Sequence, residues 1–186
     1  MGSQAEVAMG KKTLTLTQET NYPWDGAVAL KVGMNGSLKT QVRLRIPAWC
    51  KSYTLAVNSE PIEALVEKGY AIIDRKWKND DVVTINFEMP VELVSADPRV
   101  KDDIGKRAVQ RGPLVYCLEE VDNPMDFDSL QIVENTAFDT DFKADKLGGV
   151  VEVTTHAGEQ TLNYIPYYAW DNREAGKMKV WVPIAE

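Results

Sequence analysis

Three adjacent pairs of carboxylates are the candidates for acid–base chemistry in this sequence: Asp80-Asp81, Asp102-Asp103 and Glu119-Glu120. A glycosidase places two carboxyl groups on either side of the bond that it cleaves. Neighbouring residues of a strand point to opposite faces, so each pair would need a further carboxylate from elsewhere in the chain. We therefore interpret the three pairs as parts of solvated turns.

Nucleophilic and metal chemistry have few residues to draw on. His156 is the only histidine, and Cys50 and Cys117 are the only cysteines. A serine or cysteine nucleophile would need His156 as its base, and a zinc site would need the cysteines brought to it from separate segments. The sequence predicts neither site. Each cysteine is expected to be a small buried thiol, because two cysteines in different halves of a chain rarely reach disulfide geometry.

Large aromatic side chains lie in or beside predicted loops, several of them next to prolines. Flat rings at loop tips can stack on sugars, and Trp and Tyr also dominate the cores of protein interfaces. We favour core or interface packing and keep sugar stacking as the alternative. The rings considered are those of Tyr22, Trp24, Trp49, Trp77, Tyr167, Tyr168 and Trp170. The candidate interface or sugar-contact residues among them are Tyr22, Trp24, Tyr167, Tyr168 and Trp170.

The composition limits the classes of partner. A formal net charge of −7 disfavours nucleic acid and anionic membrane surfaces, which would repel the chain at long range, whereas neutral ligands such as sugars stay open. No apolar run approaches the roughly 20 residues needed to span a bilayer. The N-terminus lacks a signal-peptide pattern. The compartment is left open, with a slight preference for secretion or the periplasm.

Alternating strands dominate the pattern. Turn signals arrive about every 8 to 12 residues without an apolar stripe of helical period, which predicts an all-β protein of two antiparallel β-sandwiches, jelly-roll-like and with little helix. We place the first sandwich at residues 18–90 and the second at 91–186. The strand at residues 11–17 is a candidate addition to the second sandwich. A short strand at 70–73 is expected to end at the charged residues 74–77.

One stretch, residues 106–123, organises the second half. Arg111-Gly112-Pro113 predicts a sharp turn, and the strand Leu114–Leu118 is apolar on both faces, so it should be covered on both sides. Glu119, Glu120 and Asp122 are expected to return the chain to solvent. Residues 123–149 are loop-rich and are expected to form a long surface excursion.

Several ordered segments resemble the C-terminal β-domains of glycoside hydrolase family 127. The resembling segments include residues 18–26, 44–50, 69–70, 89–91, 105–119 and 165–173, with Arg75 and Trp77. The resemblance implies a protein in which an N-terminal (α/α)6 barrel carries catalysis, followed by two β-sandwiches. In that family a zinc-bound cysteine of the barrel acts as nucleophile on β-L-arabinofuranosides.

The resemblance does not extend to the barrel. No stretch of this sequence matches the motif of the zinc ligands and nucleophile, so no catalytic, cofactor-binding or metal-binding residue is carried over, and zinc is expected only in the barrel. The predicted function is a non-catalytic accessory region that scaffolds the barrel of an enzyme acting on plant-type glycans. The alternative is a carbohydrate-binding module. The predicted partners are the barrel of the parent chain, a second copy in a homodimer, and a glycan, and the chain alone is not expected to be catalytic.

Overall fold

The computed structural model describes residues 2–158 and 160–185. This described part is all-β, as predicted: it contains seventeen strands, two short 3₁₀ helices and no α-helix. Nor does it contain a helix with the length and apolar composition needed to cross a bilayer. The chain divides into two compact units, Met1–Met89 and Pro90–Glu186.

The first unit is a sandwich of two antiparallel sheets. Its strands are β1 Ser3–Met9, β2 Lys12–Thr20, β3 Ala27–Met34, β4 Ser37–Arg45, β5 Tyr53–Val57, β6 Glu60–Pro61, β7 Leu65–Glu67, β8 Tyr70–Lys78 and β9 Val82–Phe87. One sheet has the order β1-β2-β3-β9-β5-β6, and the other has the order β4-β8-β7. Both sheets supply side chains to one core, such as Val32 and Ile85 from the first and Val42 and Ile73 from the second.

The strand at residues 11–17 belongs to the first unit, so its expected pairing with the second sandwich is wrong. It forms most of β2, which pairs with β3 from Leu14 opposite Met34 to Thr20 opposite Val28. On its other side β2 pairs with β1. The physical reason is the inward row of β2: Leu14 is buried, and Leu16 packs on the same core as Val32, its partner in β3.

The strand expected at residues 70–73 is longer than predicted. β8 runs to Lys78 because it pairs with β4 along its whole length, from Tyr70 opposite Arg45 to Lys78 opposite Ser37. The charged residues 74 and 76 point outward from this pairing. Trp77 is therefore not in a loop: it is fully buried in the core, where its Nε1 donates to the carbonyl of Thr40 at 3.0 Å.

The second unit is built on a sheet that splits. Its strands are β10 Val91–Val94, β11 Lys106–Arg111, β12 Leu114–Glu119, β13 Asp139–Lys143, β14 Val150–Ala157, β15 Gln160–Pro166, β16 Met178–Lys179 and β17 Val182–Pro183. The order is β10-β11-β12-β15-β14-β13. β11 and β12 pair only beside their turn, and the C-terminal segment fills the gap where they diverge, with β17 on β11 and β16 on β12.

The predicted turn is confirmed, and the strand is covered on both sides from Tyr116 onward, whereas Val115 is 39% exposed. Gly112 has a φ of 55° in the two-residue turn between β11 and β12. Tyr116, Cys117 and Leu118 are all fully buried although they alternate between the two faces of the sheet. Tyr116 and Leu118 join an aromatic and aliphatic core, whereas Cys117 packs with Ile165 on the opposite face.

The expected surface excursion at residues 123–149 is wrong for its first part only. Phe127, Leu130 and Ile132 are buried in the same core as Tyr116 and Leu118, so residues 123–132 cover one face of the sheet. Residues 133–148 contain no buried side chain, as expected of a surface segment. The apolar residues are separated by polar ones without a strand or helix period, which hides their burial from a pattern analysis. A 3₁₀ helix at Lys101–Asp103 precedes β11, and a second, Tyr167–Ala169, follows β15.

Candidate functional site

Three exposed aromatic side chains follow the end of β15 in the second unit. Tyr167, Tyr168 and Trp170 are 43%, 59% and 37% exposed, whereas Ala169 between them is buried. The rings of Tyr167 and Trp170 lie nearly parallel, with an interplanar angle of 12° and centroids 6.4 Å apart. Ala169 packs with Cys117 and Ile165, so the segment is seated on the sheet while its rings project. We call residues 167–170 the aromatic platform.

A cluster of charged side chains fixes the chain just after the platform. The Asp171 backbone N–H donates to Glu119 Oε1 at 2.8 Å. Arg173 binds Asp122 with two parallel hydrogen bonds, Nη1 to Oδ1 at 2.8 Å and Nη2 to Oδ2 at 2.6 Å, and also donates to Glu119. Lys146 Nζ lies 3.0 Å from Asp122 Oδ2. Bidentate contacts of this kind hold both partners in one geometry.

The fifth member of this charged cluster is Glu152 on β14, which is 9% exposed and pairs with Lys146. The cluster therefore has three carboxylates and two cations, and it connects β12, β14 and the segment that follows the platform. We refer to Glu119, Asp122, Lys146, Glu152 and Arg173 as the charged cluster.

A buried asparagine sets the position of Asp122. The Asn123 amide donates to the carbonyls of Glu119 at 2.8 Å and Asn163 at 2.9 Å, and its Oδ1 accepts from the Asn163 N–H at 2.7 Å. Asn123 is fully buried, and these three bonds replace the strand pairing that ends at Glu119. The chain after β12 thus leaves the sheet at a fixed angle, with Asp122 directed at Arg173.

The electrostatics of the cluster follow from its contacts. Burial raises the pKa of Asp122, but hydrogen bonds from Arg173 and Lys146 outweigh burial and hold this pKa below its ordinary value. The pKa of Arg173 is raised, mainly by its hydrogen bonds to Asp122. Burial, with a smaller effect from the negative charge of Glu119, raises the pKa of the Cys117 thiol to about 12. Cys117 is therefore protonated at neutral pH and is not a nucleophile.

The interpretation of the acidic pairs as solvated turns is wrong for two residues. Glu119 is 5% exposed and Asp81 is 6% exposed. Glu119 lies at the end of a strand that is covered on both sides, and its register places it beside Cys117 on the buried face. That two-sided pattern was the signal available in the sequence. Its partner Arg173 lies 54 residues further on, and no local pattern joins the two.

The other two candidate aromatic residues lie in the first unit. The ring of Tyr22 stacks on Trp49 with centroids 6.5 Å apart, and Trp49 meets the edge of Phe87 at 5.9 Å. Burial raises the pKa of Tyr22, and a hydrogen bond with Trp49 partly offsets this. Trp24 is half-buried, and its backbone N–H donates to the carbonyl of Asn21 at 2.9 Å. The structure thus groups Tyr22 with Trp49 in one unit and Tyr167 with Trp170 in the other.

The residues considered for metal and nucleophilic chemistry stand apart. His156 is exposed, with Nδ1 at 3.3 Å from Thr161 Oγ1. Cys50 is half-buried and its thiol donates to the carbonyl of Ser52 at 3.0 Å. Over residues 2–158 and 160–185, no three or more His, Cys, Asp or Glu side chains are grouped so that they could hold a metal ion.

Comparison with known proteins identifies the family. Residues 1–89 match the model of the "Beta-L-arabinofuranosidase, GH127 middle domain", and residues 91–183 match that of the "Glycoside hydrolase family 127 C-terminal domain". The chain therefore belongs to glycoside hydrolase family 127, and the resemblance found in the sequence is confirmed. The two matches meet where the two compact units meet.

Particular relatives are named as β-L-arabinofuranosidases or β-arabinofuranosidases. A non-reducing end β-L-arabinofuranosidase of Bifidobacterium longum subsp. longum is 38% identical over 97% of this chain, which covers 32% of that protein. A solved GH127 β-L-arabinofuranosidase from Geobacillus stearothermophilus T6 aligns over 100% of this chain and 33% of its own, with a TM-score of 0.93 and 37% identity. A second solved GH127 β-arabinofuranosidase has a TM-score of 0.91 and 35% identity over 99% of this chain and 34% of its own. The chain spans about a third of the length of these relatives.

Proposed function

We propose that this chain is the non-catalytic accessory region of a family 127 β-L-arabinofuranosidase, and that its two β-units scaffold a catalytic barrel. The observation that carries the proposal is the match of its two units to the middle and C-terminal domains of the family, over a third of enzymes named for this activity. The chemistry of the described residues agrees with a scaffold. Cys117 is a buried, protonated thiol, and the carboxylates of Asp81, Glu119 and Asp122 are occupied by structural bonds.

The aromatic platform is the surface that we assign to contact with the barrel. Tyr and Trp are the side chains most enriched at the energetic centres of protein interfaces. Tyr167 and Trp170 project from a short segment whose backbone is held by Ala169 on one side and by Asp171 and Arg173 on the other. Rings held in this way lose little conformational entropy when a partner covers them.

A chimera tests the accessory role. The third of the Bifidobacterium longum enzyme that corresponds to this chain would be replaced by this chain, and hydrolysis of 4-nitrophenyl β-L-arabinofuranoside would be measured. We expect the chimera to be active, the chain alone to be inactive, and the relative's remaining two-thirds to be unstable when expressed alone. Turnover by this chain alone, or one zinc per chain lost on mutating Cys50 or Cys117, would overturn the proposal.

One observation favours a carbohydrate-binding module as a second candidate function. The rings of Tyr167 and Trp170 are exposed and within 12° of parallel, an arrangement that suits the apolar faces of sugar rings. Titration of the chain with arabinan oligosaccharides distinguishes the two roles. Binding that Trp170→Ala abolishes and Tyr70→Ala, at an exposed aromatic residue of the first unit, preserves would favour the module. Absence of binding together with an active chimera favours the scaffold.

A further inference from the structure

A small pocket opens in the first unit between the ends of β2, β4 and β9. Its volume is about 270 Å³, and its floor is apolar, with Leu44, Phe87 and Pro47 among the lining residues. Tyr22 lines the pocket, and its ring stacks on that of Trp49. Sites for drug-sized ligands usually have volumes of about 300–1,000 Å³, so this pocket suits a single small ring rather than a chain of them.

Gln18 brings an unused amide to this pocket. It follows Leu14 and Leu16 on the inward row of β2 and pairs with Leu30, another residue of the core-facing row. A glutamine at such a position is half-buried, and it lines the pocket. Within the part of the chain that the structure describes, the Gln18 amide makes no hydrogen bond, so both of its donors and its acceptor are available.

Arg45 supplies the second polar group. It ends β4, lines the same pocket, and has an exposed side chain that forms no ion pair or hydrogen bond with the described residues. Tyr22 lines the same pocket, so the two residues share one opening. By contrast Arg43, two residues earlier on β4, is occupied by Gln41, with Nη2 at 2.8 Å and Nε at 3.3 Å from Gln41 Oε1.

From this arrangement we infer that the pocket binds one neutral pentose ring. The C–H face of the sugar would lie on the rings of Tyr22 and Phe87, and its hydroxyl groups would bond to Gln18 and Arg45. A purely apolar ligand would leave both polar groups without partners, whereas the hydroxyl groups of a sugar can bond to each of them. The choice of a pentose rests on the proposed function, since the family acts on arabinofuranosides by name.

Nuclear magnetic resonance of the full ¹⁵N-labelled chain tests the inference, with methyl β-L-arabinofuranoside as the probe. We expect saturable shifts of the Gln18 side-chain amide and of backbone resonances around Tyr22, with a dissociation constant on the order of 1 mM. Gln18→Ala should weaken binding about tenfold, because it removes a hydrogen bond at a half-buried position, and Arg45→Ala should weaken it about threefold, because that side chain is exposed to water.

The matched controls lie earlier on β4 and do not line the pocket. Gln41→Ala and Arg43→Ala remove the same chemical groups outside the pocket and should change the dissociation constant by less than about twofold. The inference is overturned if the probe shifts none of these resonances, if both pocket variants bind as well as the unsubstituted chain, or if glucuronate, a ring that carries a carboxylate, binds more tightly than the neutral sugar.

The outcome is separable from that of the proposed function. Binding to the isolated chain does not depend on the chimera. An inactive chimera with intact pentose binding would contradict the proposed scaffold function alone. An active chimera without pentose binding would contradict the inference about the pocket alone. If instead the catalytic part of the chimera shields the Gln18 amide and the sugar no longer reaches it, the pocket is a domain contact and the inference is wrong.

Discussion

The two units bury their charged side chains in different ways. In the first, Asp81 is buried in the turn before β9, where it accepts from Asn58 Nδ2 and from the Lys78 backbone N–H, each at 2.8 Å, with Arg75 Nη2 at 3.8 Å. This carboxylate closes one turn and one loop. In the second unit the charged cluster instead ties two strands to the segment that follows the aromatic platform.

The comparison shows that the buried ion pairs of the second unit hold a particular segment in place. Taking charges out of water is costly, and a buried pair often stabilises a fold no more than apolar residues of the same size would. Removing one partner, however, leaves the other charge buried and alone. Such a pair therefore fixes one arrangement of a segment, and in this chain the segment concerned carries the exposed rings. The first unit relies on its apolar core.

The largest effect is expected from the core of the first unit. Trp77 is fully buried, donates to Thr40, and has the Arg75 guanidinium 5.2 Å from its ring centroid. Trp77→Ala should destabilise this unit by about 3–5 kcal/mol, as large-to-small changes in cores do. Hydrogen exchange read by mass spectrometry follows each unit separately, and peptides of β4 and β8 should lose protection. Unchanged protection there would contradict the assignment of Trp77 to the core.

The next effect is expected in the charged cluster. Arg173→Met leaves Glu119, which is 5% exposed, and Asp122 without their main cation. It should lower the free energy of unfolding of the second unit by about 3 kcal/mol. Protection should fall in β12 and in residues 167–173, and not in β4 and β8.

The control for this variant is an exposed ion pair of the same unit. Lys177 and Asp128 lie 2.9 Å apart and are both largely exposed, so Lys177→Met should leave exchange unchanged. The double variant Glu119→Gln with Arg173→Met should recover part of the loss, because it removes the unpaired charge. If the single and double variants behave alike, the cluster does not act through charge.

Much of this fold could be predicted from the sequence, because strict alternation marks strands such as β2 and β9 and the Gly112-Pro113 turn marks a corner. For β8 the sequence predicts too short a strand, because the three charged residues 74–76 follow its apolar start. Its pairing with β4 decides its length, and pairing is a tertiary property. The exposure of Tyr167, Tyr168 and Trp170 could be expected from their loop position.

The charged cluster could not be predicted. Arg173 meets Asp122 across 51 residues and Glu119 across 54, whereas a sequence pattern reports only local spacing. Lys146 comes from a third segment with no strand pattern of its own. Acidic residues at a strand end are usually solvated, so burial of Glu119 requires knowledge of the segment that returns to cover it.

Acid should weaken the second unit more than the first. The pKa of Asp122 is held below its ordinary value against burial by hydrogen bonds from Arg173 and Lys146. A lowered folded-state pKa adds stability that is fully present above the unfolded value of about 3.9 and is lost as the pH falls through the folded value. The pKa of Asp81 is also lowered, since hydrogen bonds from Asn58 and the Lys78 backbone N–H outweigh its burial, but its nearest arginine lies at 3.8 Å, further than Arg173 is from Asp122.

Exchange measured between about pH 5 and 2 should show this as earlier loss of protection in β12 than in β9, because the loss begins near the unfolded pKa and is complete only below the folded one. Asp122→Asn should be less stable at pH 7 and should change less with pH than the unsubstituted chain. Parallel pH profiles for the two chains would show that another group governs the acid response.

The smallest effect on stability, and the sharpest on function, is expected at Trp170. The ring is 37% exposed and stacks only on Tyr167, so Trp170→Ala should change the stability of the isolated chain by less than about 0.5 kcal/mol. In the chimera with the Bifidobacterium longum catalytic part, an enclosed ring at an interface would be worth about 2 kcal/mol, so the same substitution should lower the melting temperature of the chimera. Tyr70→Ala, which removes a ring that is 42% exposed in the first unit, should lower neither melting temperature. If Trp170→Ala unfolds the isolated chain, the ring is part of the fold and the charged cluster supports packing rather than a contact surface. If it alters neither protein, the platform does not touch the barrel, and the second unit holds its exposed rings for another partner.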